Sequence, residues 1–149
     1  MEKIISVNRQ AAHEYFLLER YEAGLVLTGT EIKSIRKANC NLKGTYIDIK
    51  DGEAYIIDMH VAEYEQGNRF NHETKRPRKL LLHKQEIIKL TQKVVLKGFT
   101  IVPTKLYFNR GKAKLEIALA KGKELHDKRQ SIKEKEVKRE IDKAVKIRY

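Results

Sequence analysis

Alternation of apolar and polar positions is the clearest signal in the first 120 residues. Leu115, Ile117 and Leu119 alternate with Lys114, Glu116 and Ala118, which predicts a strand buried on one face. Phe99–Phe108 and Lys112–Leu119 flank Asn109, Arg110 and Gly111, so the two runs predict a hairpin. A second hairpin is predicted from Thr45–Lys50 and Glu53–Met59 around Asp51-Gly52, because a type I′ turn needs positive φ at both central positions. Residues 14–21 are rich in strand formers and predict a strand ended by Glu22-Ala23-Gly24. Leu25–Leu27 follows as a separate apolar run closed by Gly29. Thr28 and Glu31 match the capping-box spacing, and Ile32 and Ile35 behind them predict a short helix over about 30–38. Ile87, Ile88 and Leu90 predict a second helix over 84–93, with Gly98 stopping that segment. Residues 62–79 read as a long loop before the brief apolar run Leu80–Leu82. These elements make a mainly β body of about five or six short strands, closed or nearly closed into a small barrel.

The pattern changes between Ala120 and Lys121. The last 29 residues hold 11 Lys/Arg and 6 Asp/Glu, a net charge of +5. Glu124 with Lys128, Glu134 with Lys138, and Asp142 with Lys146 are all acid-before-base at i,i+4, the helix-supporting orientation. Val137, Ile141 and Val145 make one file of apolar positions, too narrow a stripe to anchor on a core. A tail of this kind is expected to be disordered alone and helical when bound. Fully helical, it would reach about 40 Å at about 1.5 Å per residue. The chain therefore divides into a β domain, 1–120, and a basic C-terminal tail, 121–149, with Gly122 as a hinge.

Charge narrows the partner. The chain of 149 residues carries a net charge of +12, which favours nucleic acid or an anionic membrane over neutral partners. One cysteine, Cys40, excludes a disulfide framework and a thiolate metal site. No apolar run is long enough to span a bilayer, and the N-terminus does not read as a signal peptide, so a cytoplasmic protein is expected.

Two body segments concentrate cations. Residues 69–84 hold Arg69, Lys75, Arg76, Arg78, Lys79 and Lys84 against Glu73 alone, and the second hairpin holds Lys105, Arg110, Lys112 and Lys114 beside Tyr107 and Phe108. Lys and Arg neutralise phosphates, and exposed aromatics stack on unpaired bases. A solvated charged surface is the plainer reading of the same residues, and in an alternating strand Tyr107 or Phe108 must face inward. The five histidines, His13, His60, His72, His83 and His126, lack metal-ligand spacing. Asp48, Asp51, Glu53 and Asp58 could be imagined as a metal-dependent nuclease cluster, but turn and strand-edge chemistry explains them better. No catalytic residue, metal or cofactor is expected.

Five motifs carry a resemblance over essentially the whole length. They are NRQAAHEYF at Asn8–Phe16, EAGLVLTGTEIKSIR at Glu22–Arg36, RKLLL at Arg78–Leu82, AKGK at Ala120–Lys123 and HDKR at His126–Arg129. In order and spacing they resemble the SsrA-binding protein family, small protein B, bacterial partners of transfer-messenger RNA. The resemblance implies an oligonucleotide-binding-type β-barrel with two or three short helices and no enzymatic activity. It implies that the barrel grips the tRNA-like domain of that RNA and that the complex enters a stalled ribosome. The tail is then expected to lie in the empty mRNA channel and report to the decoding centre. Elongation factor Tu and alanyl-tRNA synthetase are implied as partners through the RNA, and a monomer is expected. A generic barrel for single-stranded RNA or DNA, or an RNA chaperone, is the alternative.

The resemblance also implies site residues. Glu22, Leu81 and Lys114 match RNA-contacting positions, with Asn8, His13, Lys33 and Arg36 on the same face. Lys79, His83 and Lys105 join them from the basic segments. Gly122, Lys123, His126, Asp127, Lys128 and Arg129 match the segment that works on the ribosome. Three positions depart from the family pattern: His83 where Asn is frequent, Ala38 where Gly is frequent, and Glu124 where Lys is frequent.

Overall fold

The computed structural model describes residues 2–123. In chain order it runs β1 (Glu2–Val7), α1 (Arg9–Glu14), β2 (Tyr15–Leu25), α2 (Gly29–Arg36), β3 (Cys40–Asn41), β4 (Tyr46–Lys50), β5 (Glu53–Ile57) and β6 (His60–Val61). A 3₁₀ turn at Glu65–Phe70 precedes β7 (Arg78–Leu81), α3 (Lys84–Lys97), β8 (Thr100–Asn109) and β9 (Lys112–Gly122). Seven strands form one antiparallel sheet in the order β1-β8-β9-β2-β7-β5-β4, and β3 pairs with β6 separately. β4 returns alongside β8, which curls the sheet around its core. The architecture is the mainly β one that the pattern predicts, with the oligonucleotide-binding-like form that the resemblance implies.

Both hairpins form at the predicted turns. Asp51 and Gly52 have φ of 54° and 76°, and Arg110 and Gly111 have 53° and 76°, the left-handed pair that a type I′ turn demands. α2 begins with the complete capping box: the Thr28 N–H donates to Glu31 Oε1 at 2.8 Å, and the Glu31 N–H donates to Thr28 Oγ1 at 3.4 Å. α3 runs four residues beyond the predicted end and stops where Gly98 turns left-handed at φ 68°.

Three differences from the sequence reading have physical causes. Glu22-Ala23-Gly24 does not end a strand; β2 runs unbroken through it to Leu25. Gly24 answers a close approach there, since a Cβ on it would lie 3.3 Å from the Leu81 Cβ. β1 gives no alternating signal because it is an edge strand with no fully buried position. α1 spans six residues, too few to show a period, and depends on its cap: the Asn8 side chain accepts from the Ala11 N–H at 3.2 Å.

Ile35, Leu42, Ile47, Ile56, Leu80, Leu90, Leu106, Leu115, Ile117 and Leu119 fill the interior. α1 lies on the other side of the sheet, where Ala11 packs with Val102 and Ala120 against Tyr15 and Leu17. Ala118 and Ala120 are therefore buried although they point away from the main core. The compositional break at 120/121 falls inside β9, which pairs Phe16 with Lys121 and Tyr15 with Gly122. The predicted tail helix lies outside the described residues.

Arg78 is fully buried, so it is not one of the phosphate-facing cations that the 69–84 cluster suggested. Its Nε donates to Glu31, Nη1 donates to the Met59 carbonyl at 2.6 Å, and Nη2 donates to the Thr74 carbonyl at 3.1 Å. Arg76 joins through Nη2 to Glu31 Oε1 at 2.6 Å. The cluster pins the long 62–77 connection to the first turn of α2. Burial pushes the Glu31 carboxyl up, but hydrogen bonds from Arg76, the Thr28 N–H and Arg78 prevail and hold it at about 2.

Candidate nucleic-acid interface

Strand register assembles one sheet face from residues far apart in sequence. Ile4 pairs with Tyr107, Tyr107 with Lys114, Lys114 with Gly24, and Gly24 with Leu81. These five make a single row across β1, β8, β9, β2 and β7. The next row on the same face is Val7, Lys105, Glu116 and Glu22. Directly opposed side chains in a sheet lie close enough to act as a unit. Glu22, Leu81, Lys105 and Lys114, named separately from the sequence, thus stand together.

The chemistry of this face is mixed. Leu81, Ile4 and Val7 are more than half exposed, at 55%, 54% and 52%, which is unusual for apolar residues gathered on one surface. Lys114 makes no ion pair among the described residues and stands between Tyr107 and Gly24. The Tyr107 hydroxyl donates to Glu22. Lys105 lies 5.1 Å from the Tyr107 ring centre and pairs with Glu2 at 3.2 Å. Burial and then the bond to Glu22 push the Tyr107 phenol upward, so it remains a donor at any ordinary pH. Lys79 projects from β7 beside Leu81 and bonds Glu53 at 2.9 Å. Cations, a held carboxylate and bare apolar side chains on one face can meet phosphate, base edge and ribose or base face together.

Residues 5–147 match the family model described as SmpB protein. This chain belongs to the SmpB family. An SsrA-binding protein from Carboxydothermus hydrogenoformans is 54% identical over 149 residues, covering 100% of both chains. One from Desulforudis audaxviator is 56% identical over 145 residues, covering 97% of this chain and 95% of its own. Among solved structures, a chain from a study of tmRNA-SmpB in the bacterial ribosome has 45% identity and a TM-score of 0.69, covering 91% of this chain and 96% of its own. SmpB is an RNA-binding family.

The remaining residues singled out from the SmpB motifs have other surroundings. Asn8 is buried and commits its side chain to the fold, with Nδ2 donating to the Pro103 carbonyl at 2.9 Å while Oδ1 caps α1. His13 is exposed in the last turn of α1. Lys33 and Arg36 are not in the two rows. They project from α2, Lys33 at 5.3 Å from the Tyr64 ring centre and Arg36 at 5.7 Å from that of Phe108. His83 is exposed and caps α3, its N–H donating to Glu86 Oε1 at 3.0 Å. Gly122 ends β9, and Lys123 follows with its N–H donating to the Glu14 carbonyl at 2.9 Å. His126, Asp127, Lys128 and Arg129 lie outside the described residues.

On this surface the sequence reading named Tyr107 without choosing between it and Phe108, and it missed Arg20, Ile4 and Val7. Adjacent aromatics in a strand must face opposite ways, which was signal enough to put one of Tyr107 and Phe108 outside. Phe108 goes to the core and Tyr107 to the outer face, buried there under its neighbours. Arg20 sits at the β-bulge of β2 between Leu17 and Arg20, which no periodicity announces. Among the described residues no group of three or more His, Cys, Asp or Glu could hold a metal ion, and no helix is long and apolar enough to cross a membrane.

Proposed function

We propose that this chain binds the tRNA-like domain of transfer-messenger RNA and delivers it to stalled ribosomes for trans-translation, so that the ribosome is freed and the nascent peptide tagged. The observation that carries the reading is the paired-row face: Glu22, Leu81, Lys105 and Lys114 meet on one sheet surface of an SmpB-family fold. Phosphate contacts from the lysines position the RNA, while Glu22 and the apolar side chains supply contacts that a bare charged surface lacks. His13 and Lys79 flank that face, and Asn8 supports it by fixing α1. Residues up to Lys123, where β9 closes, form the RNA-binding unit, and those after it the part that works on the ribosome, with His126, Asp127, Lys128 and Arg129 directed to the decoding centre and mRNA channel. The protein is a cytoplasmic adaptor and not an enzyme. Elongation factor Tu and alanyl-tRNA synthetase reach the same particle through the RNA.

Competition binding at fixed salt tests this. The tRNA-like domain transcript should displace labelled RNA at far lower concentration than ordinary tRNA or a random single strand. Equal competition by all three would mean a generic single-strand binder.

A further inference from the structure

A recess of about 480 Å³ opens at the end of the second row, between the sheet and α1. It exists because α1 covers the outer face only over Val102 and Ala120 and leaves the next stretch of β8, β9 and β2 bare. Val7, Ala12 and Leu17 give it apolar walls, Arg9 and Arg20 stand at it with guanidinium groups, and Glu116 reaches it from β9. Arg20 Nη1 bonds Glu116 Oε2 at 3.3 Å, and the Thr104 hydroxyl donates to the same oxygen. Among the described residues, Glu116 Oε1 keeps no hydrogen bond, and Arg9 makes no ion pair. A pocket of this size accepts one drug-sized group.

We infer that the recess is a single-nucleotide subsite, in which one unpaired nucleotide of the bound RNA turns out of its stack. The base lies against Val7, Ala12 and Leu17, a base N–H donates to Glu116 Oε1, and the adjoining phosphate meets Arg9 and Arg20. Every part matches a general feature of RNA recognition: unstacked bases in apolar slots, edge contacts, and guanidinium on phosphate. Val7, Lys105 and Glu116 belong to the row that contains Glu22, so a nucleotide there is continuous with RNA on the face. The inference rests on the proposed RNA reading and adds a specificity element to it.

The test crosses two changes. Transcripts of the tRNA-like domain carry an abasic site at each unpaired position in turn. The protein is the full chain or Ala12→Trp, which fills the recess from an exposed helix position. With the unaltered protein one abasic position should lose about tenfold in affinity, the low end of what a bound base contributes. With Ala12→Trp the intact transcript should bind about tenfold more weakly, and that same abasic position should cost nothing further. If the transcript is bound selectively but every abasic penalty persists in Ala12→Trp, the subsite is overturned while the adaptor reading stands. If the transcript is not preferred over ordinary tRNA, the adaptor reading itself fails. Should Ala12→Trp not fold, Arg9→Glu replaces it in the cycle, and an undiminished penalty there counts against the subsite in the same way.

Discussion

Tyr107 and Glu22 are joined across an intervening strand: the phenol on β8 donates to the carboxylate on β2, passing over β9. The bond holds one oxygen of Glu22, and among the described residues the other makes no hydrogen bond. In Tyr107→Phe the carboxylate loses its anchor but keeps its charge. Affinity for the tRNA-like domain should fall about three- to tenfold, and stability by about 1 kcal/mol, the net size of a hydrogen bond. In a Glu22→Ala background the same change should cost no further affinity. A double-mutant cycle by binding titration checks this, and additive losses would show that Tyr107 acts independently of Glu22.

Leu80 and Leu81 are neighbours with opposite duties. Leu80 is 1% exposed in the core, and Leu81 is 55% exposed on the outer sheet face proposed to meet RNA. Leu80→Ala should cost about 2–5 kcal/mol in a denaturant melt, the range for a large-to-small core change. Leu81→Ala should leave the melt within about 0.5 kcal/mol and lower RNA affinity instead. A Leu81→Ala protein with unchanged binding would remove Leu81 from the interface.

The strands and turns were legible where one side of the sheet is buried and the other wet. Leu115, Ile117 and Leu119 announced β9, and the paired Asp51-Gly52 announced its hairpin. β1 was silent because an edge strand buries no residue fully, and β2 was misread at Gly24 because glycine marks a turn and a close approach with the same letter. The site was legible in its residue types but not in its assembly. Lys114 and Leu81 are brought together by two register pairings through Gly24, and pairings between residues 57 or more positions apart leave no local trace. Arg78 shows the opposite error: composition counted it as surface charge, whereas Glu31, 47 positions away, takes it into the interior.

Ala38 stands in the left-handed region at φ 59°, just past the end of α2. A Cβ there costs about 1–2 kcal/mol, partly offset because glycine loses more freedom on folding. Ala38→Gly should therefore stabilise the protein by about 0.5–1 kcal/mol without changing RNA affinity. Thermal and urea unfolding of the two proteins at neutral pH decide it, and a destabilised variant would mean that the Ala38 methyl group makes a compensating contact.

Glu31 predicts how the fold responds to acid. Its carboxyl is held at about 2 against an ordinary 4.5. A group depressed in this way contributes its stability above its unfolded value and loses it as pH falls through its folded value. The contribution, up to about 3 kcal/mol, should therefore be intact at pH 5 and disappear progressively between about 4.5 and 2. Glu31→Gln removes that acid dependence and leaves Arg78 as an unpaired buried charge, at a cost of about 3–5 kcal/mol near neutral pH. Urea melts across pH 2–7 on both proteins measure the window.

Where the chain is cut near its compositional break should matter by only three residues. Residues 121 and 122 extend β9 against Phe16 and Tyr15, and Lys123 closes the strand through its N–H to the Glu14 carbonyl at 2.9 Å. The Lys123 ammonium also stands 4.9 Å from the Phe16 ring centre. Ending the chain at Ala120 removes these bonds and should cost about 2 kcal/mol or more, from two or three backbone hydrogen bonds and one cation–π contact. It should also loosen α1, because Glu14 and Tyr15 lose their partners, and RNA affinity should fall with it. Ending the chain at Lys123 keeps every one of these contacts. That protein should melt within about 0.5 kcal/mol of the full chain, bind the tRNA-like domain with unchanged affinity, and fail completely in a peptide-tagging assay on stalled ribosomes. If the shorter and longer truncations lose RNA affinity equally, residues beyond Lys123 clamp the RNA and the two-part division of labour is wrong.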